Sequence, residues 1–150
     1  MKVRNDRRQK DDWSCGAIAA AVAMDLLGVP SADSSALVAA GLAATPLDGT
    51  DPRVMESFFR KLSYRVCSGE MTIEDLRHHT AMARPVLCLV RYGSVGHWVT
   101  ITEVKARKLA FHCPVRGTIK MPLQAFRGTW WDSDRGGYHY HSFGVALWKD

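Results

Sequence analysis

The chain carries one cysteine and one histidine whose surroundings suit nucleophilic catalysis. Cys15 follows Ser14, a residue type that caps helices, and it opens an apolar run that ends near Leu27. Free N–H groups and the positive end of a helix dipole lower the pKa of a thiol at that position, which predicts a reactive thiolate. His97 stands where a glycine-containing loop passes into the apolar segment 98–101. The two side chains predict a thiol nucleophile and an imidazole that moves its proton.

Each of these residues, taken alone, also has a simpler structural interpretation. A cysteine in an apolar helix is commonly a buried core thiol, and a single histidine is commonly a surface or satisfied core side chain. Cys67 and Cys88 are expected to be such core thiols, and no CxxC pair indicates structural zinc. His139 and His141 form, together with His112, a weak alternative metal site. We expect no bound metal and no cofactor.

Several short motifs resemble a known peptidase family in their order and spacing. Gln9 is followed six positions later by Cys15-Gly16, and a later segment reads Gly96-His97-Trp98-Val99. Segments 84–87 and 49–50 fit the same pattern. Over most of its length the chain resembles the papain-like cysteine peptidases that remove double-glycine leaders from bacteriocins and related secreted peptides, here in a stand-alone form.

The resemblance implies roles for four residues. Cys15 is the expected nucleophile and His97 the expected general acid/base, while the Gln9 side-chain amide and the Cys15 N–H are the expected donors to the oxyanion. The family has an Asp-Pro about sixteen residues beyond the histidine, where this chain has Cys113-Pro114. A neutral thiol is a poor acceptor for an imidazole N–H, so Cys113 is expected to orient His97 less firmly than a carboxylate.

The sequence leaves alternatives open for the residue that orients His97, for the reaction and for the function. Asp132 and Asp134 are carboxylates that can take the orienting role instead of Cys113. The leading prediction is a cysteine peptidase that acts on a peptide or protein substrate. Acyl transfer or deamidation through the same thioester is an alternative reaction, and non-catalytic peptide binding on the same scaffold is an alternative function.

Length, charge and hydropathy limit the remaining classes. The 150 residues are 47% hydrophobic and 23% charged, which predicts one globular domain over residues 1–150. The net charge is +5, and the segment between positions 104 and 131 has six basic and no acidic residues. This basic segment indicates either a solvated face or a surface for an acidic partner. No nucleic-acid reading motif is present. The longest apolar stretch, 17–24, is too short for a membrane span, and the charged N-terminus does not resemble a secretory signal, so we expect a cytoplasmic protein.

Helical patterns precede strand patterns along the chain. The run from Cys15 to Leu27 is apolar on nearly every face, which predicts a helix buried in the middle of the fold and ended by Gly28. The class is therefore α+β, and the resemblance implies a papain-like fold in which the cysteine-bearing helix packs on an antiparallel sheet. Further helices are predicted at 34–42, 51–62 and 73–81, strands at 86–92, 97–104, 109–113, 118–121 and 142–148, and a Gly-rich loop before the last strand.

Overall fold

The computed structural model describes residues 15–28, 50–92, 95–133 and 137–150 of the chain. Gln9, Ser14 and the predicted helix at 34–42 lie outside these residues. The described elements are, in chain order, α1 (Cys15–Leu26), α2 (Pro52–Lys61), β1 (Arg65–Glu70), α3 (Ile73–Ala81), β2 (Val86–Tyr92), β3 (Val95–Val104), β4 (Lys108–Cys113), β5 (Gly117–Pro122), α4 (Leu123–Thr129), β6 (Trp131–Ser133), β7 (His139–His141) and β8 (Phe143–Trp148).

Six of the strands form one antiparallel sheet, in the order β1-β8-β2-β3-β4-β5. Strands β6 and β7 form a separate two-stranded sheet within the segment that was predicted to be a Gly-rich loop. Helices dominate the first half of the described chain and antiparallel strands the second half, which confirms the predicted α+β class. None of the described helices is long and apolar enough to cross a membrane.

Helix α1 is buried along most of its length, as its uniformly apolar sequence predicts. Every residue from Cys15 to Met24 is buried, and the helix stops before Gly28, which adopts a φ of +76° that suits glycine. The helix presents alanines to the sheet, so its backbone approaches closely, and Thr100 Oγ1 donates a hydrogen bond to the Ala19 carbonyl at 3.1 Å. The small side chains thus allow a direct polar contact between helix and sheet.

The starts of the two following helices are set by side-chain caps. Asp51 accepts a hydrogen bond from the Arg53 N–H at 2.8 Å, and Pro52 occupies the first turn of α2, where its missing N–H costs nothing. At the start of α3, Thr72 and Asp75 bond reciprocally to each other's backbone N–H in a capping box.

The large sheet buries one apolar cluster on each side. We call the side that α1 covers the α1 face and the other side the opposite face. Because side chains alternate along a strand, β2 sends Leu87 and Leu89 to the α1 face and Val86, Cys88 and Val90 to the opposite face. Other members of the α1-face cluster are Met55, Phe59, Trp98, Val145 and Leu147, and other members of the opposite cluster are Leu76, Val99, Ile101, Phe111, Cys113, Phe126 and Trp130.

Two predictions about individual residues need correction. Cys67 was expected to be a core thiol, but it is exposed in β1, whereas Cys88 is fully buried as predicted. His97 was expected at a junction between loop and strand, but β3 already begins at Val95 and His97 pairs with Val90 inside the ladder. The β2–β3 pairing extends further toward the turn than the glycines in the sequence suggest.

Candidate active site

Cys15 is the first residue of α1, and only 6% of its surface is exposed. Its Sγ accepts hydrogen bonds from the backbone N–H groups of Trp98 and Gly16. Burial nevertheless raises the pKa of the Cys15 thiol above its ordinary value, and the nearby Cys113 raises it further. The prediction of a lowered pKa is therefore wrong, because removal of water destabilises the thiolate more than these donors stabilise it.

The first turn of α1 is held against β3 by close packing around Gly16. A Cβ atom on Gly16 would lie 2.5 Å from Thr50 Oγ1 and 3.2 Å from Trp98 Cδ1, so only glycine fits without displacing its neighbours. Trp98 Nε1 in turn donates a hydrogen bond to the Thr50 carbonyl at 3.0 Å. This packing fixes the position of the Cys15 thiol relative to the strand that carries His97.

His97 lies on β3, one residue before the Trp98 N–H that binds the Cys15 thiol. Its side chain is half-buried. Since His97 is paired with Val90, and paired residues share a face, its side chain belongs to the opposite face together with that of Val99. His97 and Cys15 therefore both lie beside the same stretch of β3.

Cys113 is the last residue of β4 and is 2% exposed. The β3–β4 ladder pairs Thr100 with His112, so the next position along the ladder sets Cys113 two residues from His97 on the same face. Diagonal neighbours of this kind are about 7–8 Å apart. Cys113 also interacts electrostatically with Cys15. The described contacts thus gather Cys15, Cys113 and the strand segment 97–98 at one end of β3.

The alternative carboxylate Asp132 has a different set of contacts. Its Oδ1 accepts hydrogen bonds from Arg91 Nη2 at 2.6 Å and from the Ser133 N–H at 2.8 Å. Its carboxylate rests against Gly96, whose ladder partner is Arg91, and so lies on the side of β3 away from the His97 side chain. These contacts do not favour Asp132 as the acceptor for His97, and Asp134 lies outside the described residues.

Comparison with known proteins decides the family. The sequence profile of the peptidase C39 family matches residues 5–133. The chain belongs to the peptidase C39 family. It is thus a cysteine peptidase domain, as predicted. No curated protein sequence matches the chain.

Solved structures of several peptidases share the fold of this chain. A double glycine motif protease from an AMS/PCAT transporter, solved with its leader peptide, has a TM-score of 0.74 at 14% identity and covers 99% of this chain and 93% of its own. The peptidase domain of Streptococcus ComA, a bifunctional ABC transporter of a quorum-sensing pathway, has a TM-score of 0.75 at 17% identity over 95% and 96%. A C39-like peptidase from Bacillus anthracis has a TM-score of 0.71 at 12% identity over 95% and 93%. The family match and these folds confirm the resemblance found in the motifs.

The alternative metal site is not assembled in the described part of this C39 chain. His139 and His141 lie exposed on β7 with nearly parallel rings 5.7 Å apart, whereas His112 is 2% exposed within β4. Among the described residues, no group of three or more histidine, cysteine, aspartate or glutamate side chains could hold a metal ion. The two-residue spacing of His139 and His141 places both rings on one side of β7, but the described residues supply no third ligand beside them.

Two features of the C39 site were missed at the level of sequence. One is the backbone N–H of Trp98, which binds the Cys15 thiol. A backbone donor cannot be predicted from the type of residue that carries it. The other is the ion pair between Arg91 and Asp132, which lies against Gly96. A signal for it was present, because Arg91 is a charged residue in the otherwise apolar strand β2, and a charge in a buried strand requires a partner.

Proposed function

We propose that Cys15 attacks a peptide carbonyl to form a thioester and that His97 acts as its general acid/base. The observation that supports this most is the hydrogen bond from the Trp98 N–H to Cys15 Sγ, because it fixes the thiol beside the backbone of His97. Family membership supports the same pairing.

The raised pKa of Cys15 favours a neutral thiol before the substrate binds. His97 then takes the thiol proton as Sγ bonds to the carbonyl carbon, and gives that proton to the leaving amine as the C–N bond breaks. Water next adds to the thioester with His97 as base, and the carboxylic acid product and the Cys15 thiol are released. The oxyanion of each step is held by the Cys15 N–H and the Gln9 amide.

The proposed substrate is a peptide with a double-glycine leader, since one structural neighbour is a double glycine motif protease solved with its leader peptide. The proposed location is the cytoplasm. Acyl transfer and deamidation use the same thioester and differ only in the acceptor or in the amide that is attacked. They are distinguished by the products formed.

The proposal is tested by hydrolysis of a fluorogenic peptide that ends in Gly-Gly. We expect Cys15→Ala and His97→Ala to lower kcat by about 10³-fold or more, and Gln9→Ala by about 10²-fold. The exposed residues Cys67 and His139 provide matched controls, and their alanine variants should retain the wild-type rate. Full activity in folded Cys15→Ala would refute the mechanism, and peptide binding without turnover would support the binding alternative.

Cys113 is proposed as the weak orienting group for His97, with the thiol beside the ring nitrogen that faces away from Cys15. Because a thiol is a poor acceptor, Cys113→Ala should change kcat little, whereas Cys113→Asp should raise it by supplying a carboxylate. Both variants need a check of folding, since the side chain is 2% exposed. Loss of turnover in folded Cys113→Ala, or no gain in folded Cys113→Asp, would contradict this role.

A further inference from the structure

A largely buried ion pair lies next to the proposed catalytic strand. Arg91 Nη2 and Asp132 Oδ1 are 2.6 Å apart, and only 17% and 19% of the two side chains are exposed. The guanidinium also lies 4.8 Å from the ring centroid of Trp131, and the Ser133 N–H donates to the same carboxylate oxygen at 2.8 Å. Two neighbours on β6 therefore hold the charged groups in place.

The carboxylate of this pair fills the space where residue 96 would otherwise carry a side chain. A Cβ atom on Gly96 would overlap with Asp132 Oδ2 and would lie 2.6 Å from Asp132 Oδ1. Gly96 is also the ladder partner of Arg91. Both members of the ion pair thus contact Gly96 on β3. Arg91 is its partner in the strand ladder, and the Asp132 carboxylate packs directly against it.

We propose that Arg91 and Asp132 are positioning residues, which clamp the Gly96 backbone and thereby fix the two residues that follow it. The first of these is His97, and the second is Trp98, whose N–H binds the Cys15 thiol. A shift of the strand at Gly96 moves the imidazole and the thiol donor together. This inference rests on the proposed catalytic role of His97.

The energetics of buried charges favour a positioning role over a purely stabilising one. An ion pair removed from water gains little net stability, because the loss of hydration offsets the Coulomb attraction. Loss of one partner is costly, however, since it leaves the other charge buried and unpaired. The pair therefore fixes the local geometry more than it increases the stability of the fold.

The test compares Asp132→Asn and Gly96→Ala with two matched controls. Asp150→Asn removes a carboxylate that Arg65 binds at 2.8 Å on the exposed surface, and Gly128→Ala adds a Cβ where no atom lies within 4 Å. For each protein, kcat and KM are measured per active site, titrated with a thiol-reactive peptide probe. Amide hydrogen exchange at residues 96–98 is measured on the same samples and needs no activity.

We expect both site variants to lower kcat per titrated site by about 10- to 100-fold with KM changed less than about twofold, because small displacements of catalytic groups have effects of this size. Exchange at 96–98 should accelerate in both, and the two controls should match the wild type. Unchanged exchange would refute the clamp, and faster exchange with unchanged kcat would refute its positioning role. A wild-type protein that the probe does not label at Cys15 would instead refute the proposed function, and the positioning role with it.

Discussion

The two faces of the sheet are built in different ways. On the α1 face, helix α1 packs on the sheet with its alanines and Gly16. A hydrogen bond from Thr100 Oγ1 to the Ala19 carbonyl crosses this interface. Aromatic rings pack on both faces: Phe59 is centred 5.2 Å from Tyr64 on the α1 face, and Phe126 is centred 6.0 Å from Phe111 and 5.3 Å from Trp130 on the opposite face. What distinguishes the α1 face is the close helix contact that fixes the Cys15 thiol, whereas the opposite face carries the His97 and Cys113 side chains beside its apolar cluster.

The buried thiols Cys15 and Cys88, one on each face, differ in the groups that surround them. Cys88 is fully buried, and burial is the cause that raises its pKa well above the ordinary value. Burial also raises the pKa of Cys15, but there the N–H groups of Trp98 and Gly16 act in the opposite direction. Burial alone makes an inert core cysteine, whereas burial combined with directed donors makes a candidate nucleophile.

The largest expected effect on stability lies on the opposite face. Phe126→Ala removes a fully buried ring and should lower the free energy of unfolding by about 3–5 kcal/mol, through lost apolar transfer and a residual cavity. Chemical denaturation measures the stability, and kcat per titrated site should stay at the wild-type value below the transition. A fall in kcat in the folded variant would show that the ring packing around Phe126 also positions the His97 and Cys113 side chains on this face.

A smaller effect on stability, with a larger effect on activity, is expected at Gly16. Gly16→Ala places a Cβ 2.5 Å from Thr50 Oγ1 and should cost about 1–3 kcal/mol by overpacking. It should also lower kcat, because α1 must move away from Thr50 and Trp98 and carry the Cys15 thiol with it. Gly128→Ala, with no atom near its added Cβ, is the matched control. Wild-type kcat in Gly16→Ala would refute the idea that this packing sets the thiol position.

The sequence predicts the fold better than it predicts the site. Periodicity, caps and turn residues are local signals, and they place α3 at the observed residues 73–81 and identify the buried α1. Two features of the site depend on tertiary contacts, which local sequence patterns do not predict. They are the raised pKa of Cys15 and the ion pair between Arg91 and Asp132. The β6–β7 pair was missed for a related reason, because strands of three residues are too short to show an alternation.

The smallest effect is expected at the cap of α3, away from the α1 face. Thr72→Ala should lower the free energy of unfolding by about 1 kcal/mol at pH 7 and leave kcat unchanged. Hydrogen bonds to Thr72 lower the pKa of the Asp75 carboxyl, so its contribution is present above the ordinary pKa and is lost as pH falls through the lowered value. The difference between wild type and an Asp75→Asn variant, followed by denaturation against pH, should shrink over that acid range, because the Thr72 N–H donates to the Asp75 carboxylate. A constant difference would mean that the charge of Asp75 is not involved.

We propose as the nucleophile the Cys15 thiol, which the Trp98 N–H holds at the start of α1. Acid quenching of the protein during turnover of an activated peptide ester, followed by peptide mass mapping, tests it most directly. We expect one acyl group, attached to Cys15, in the wild type and none on Cys15 in His97→Ala. An acyl group on exposed Cys67 instead, or turnover in which Cys15 is never acylated, would contradict it.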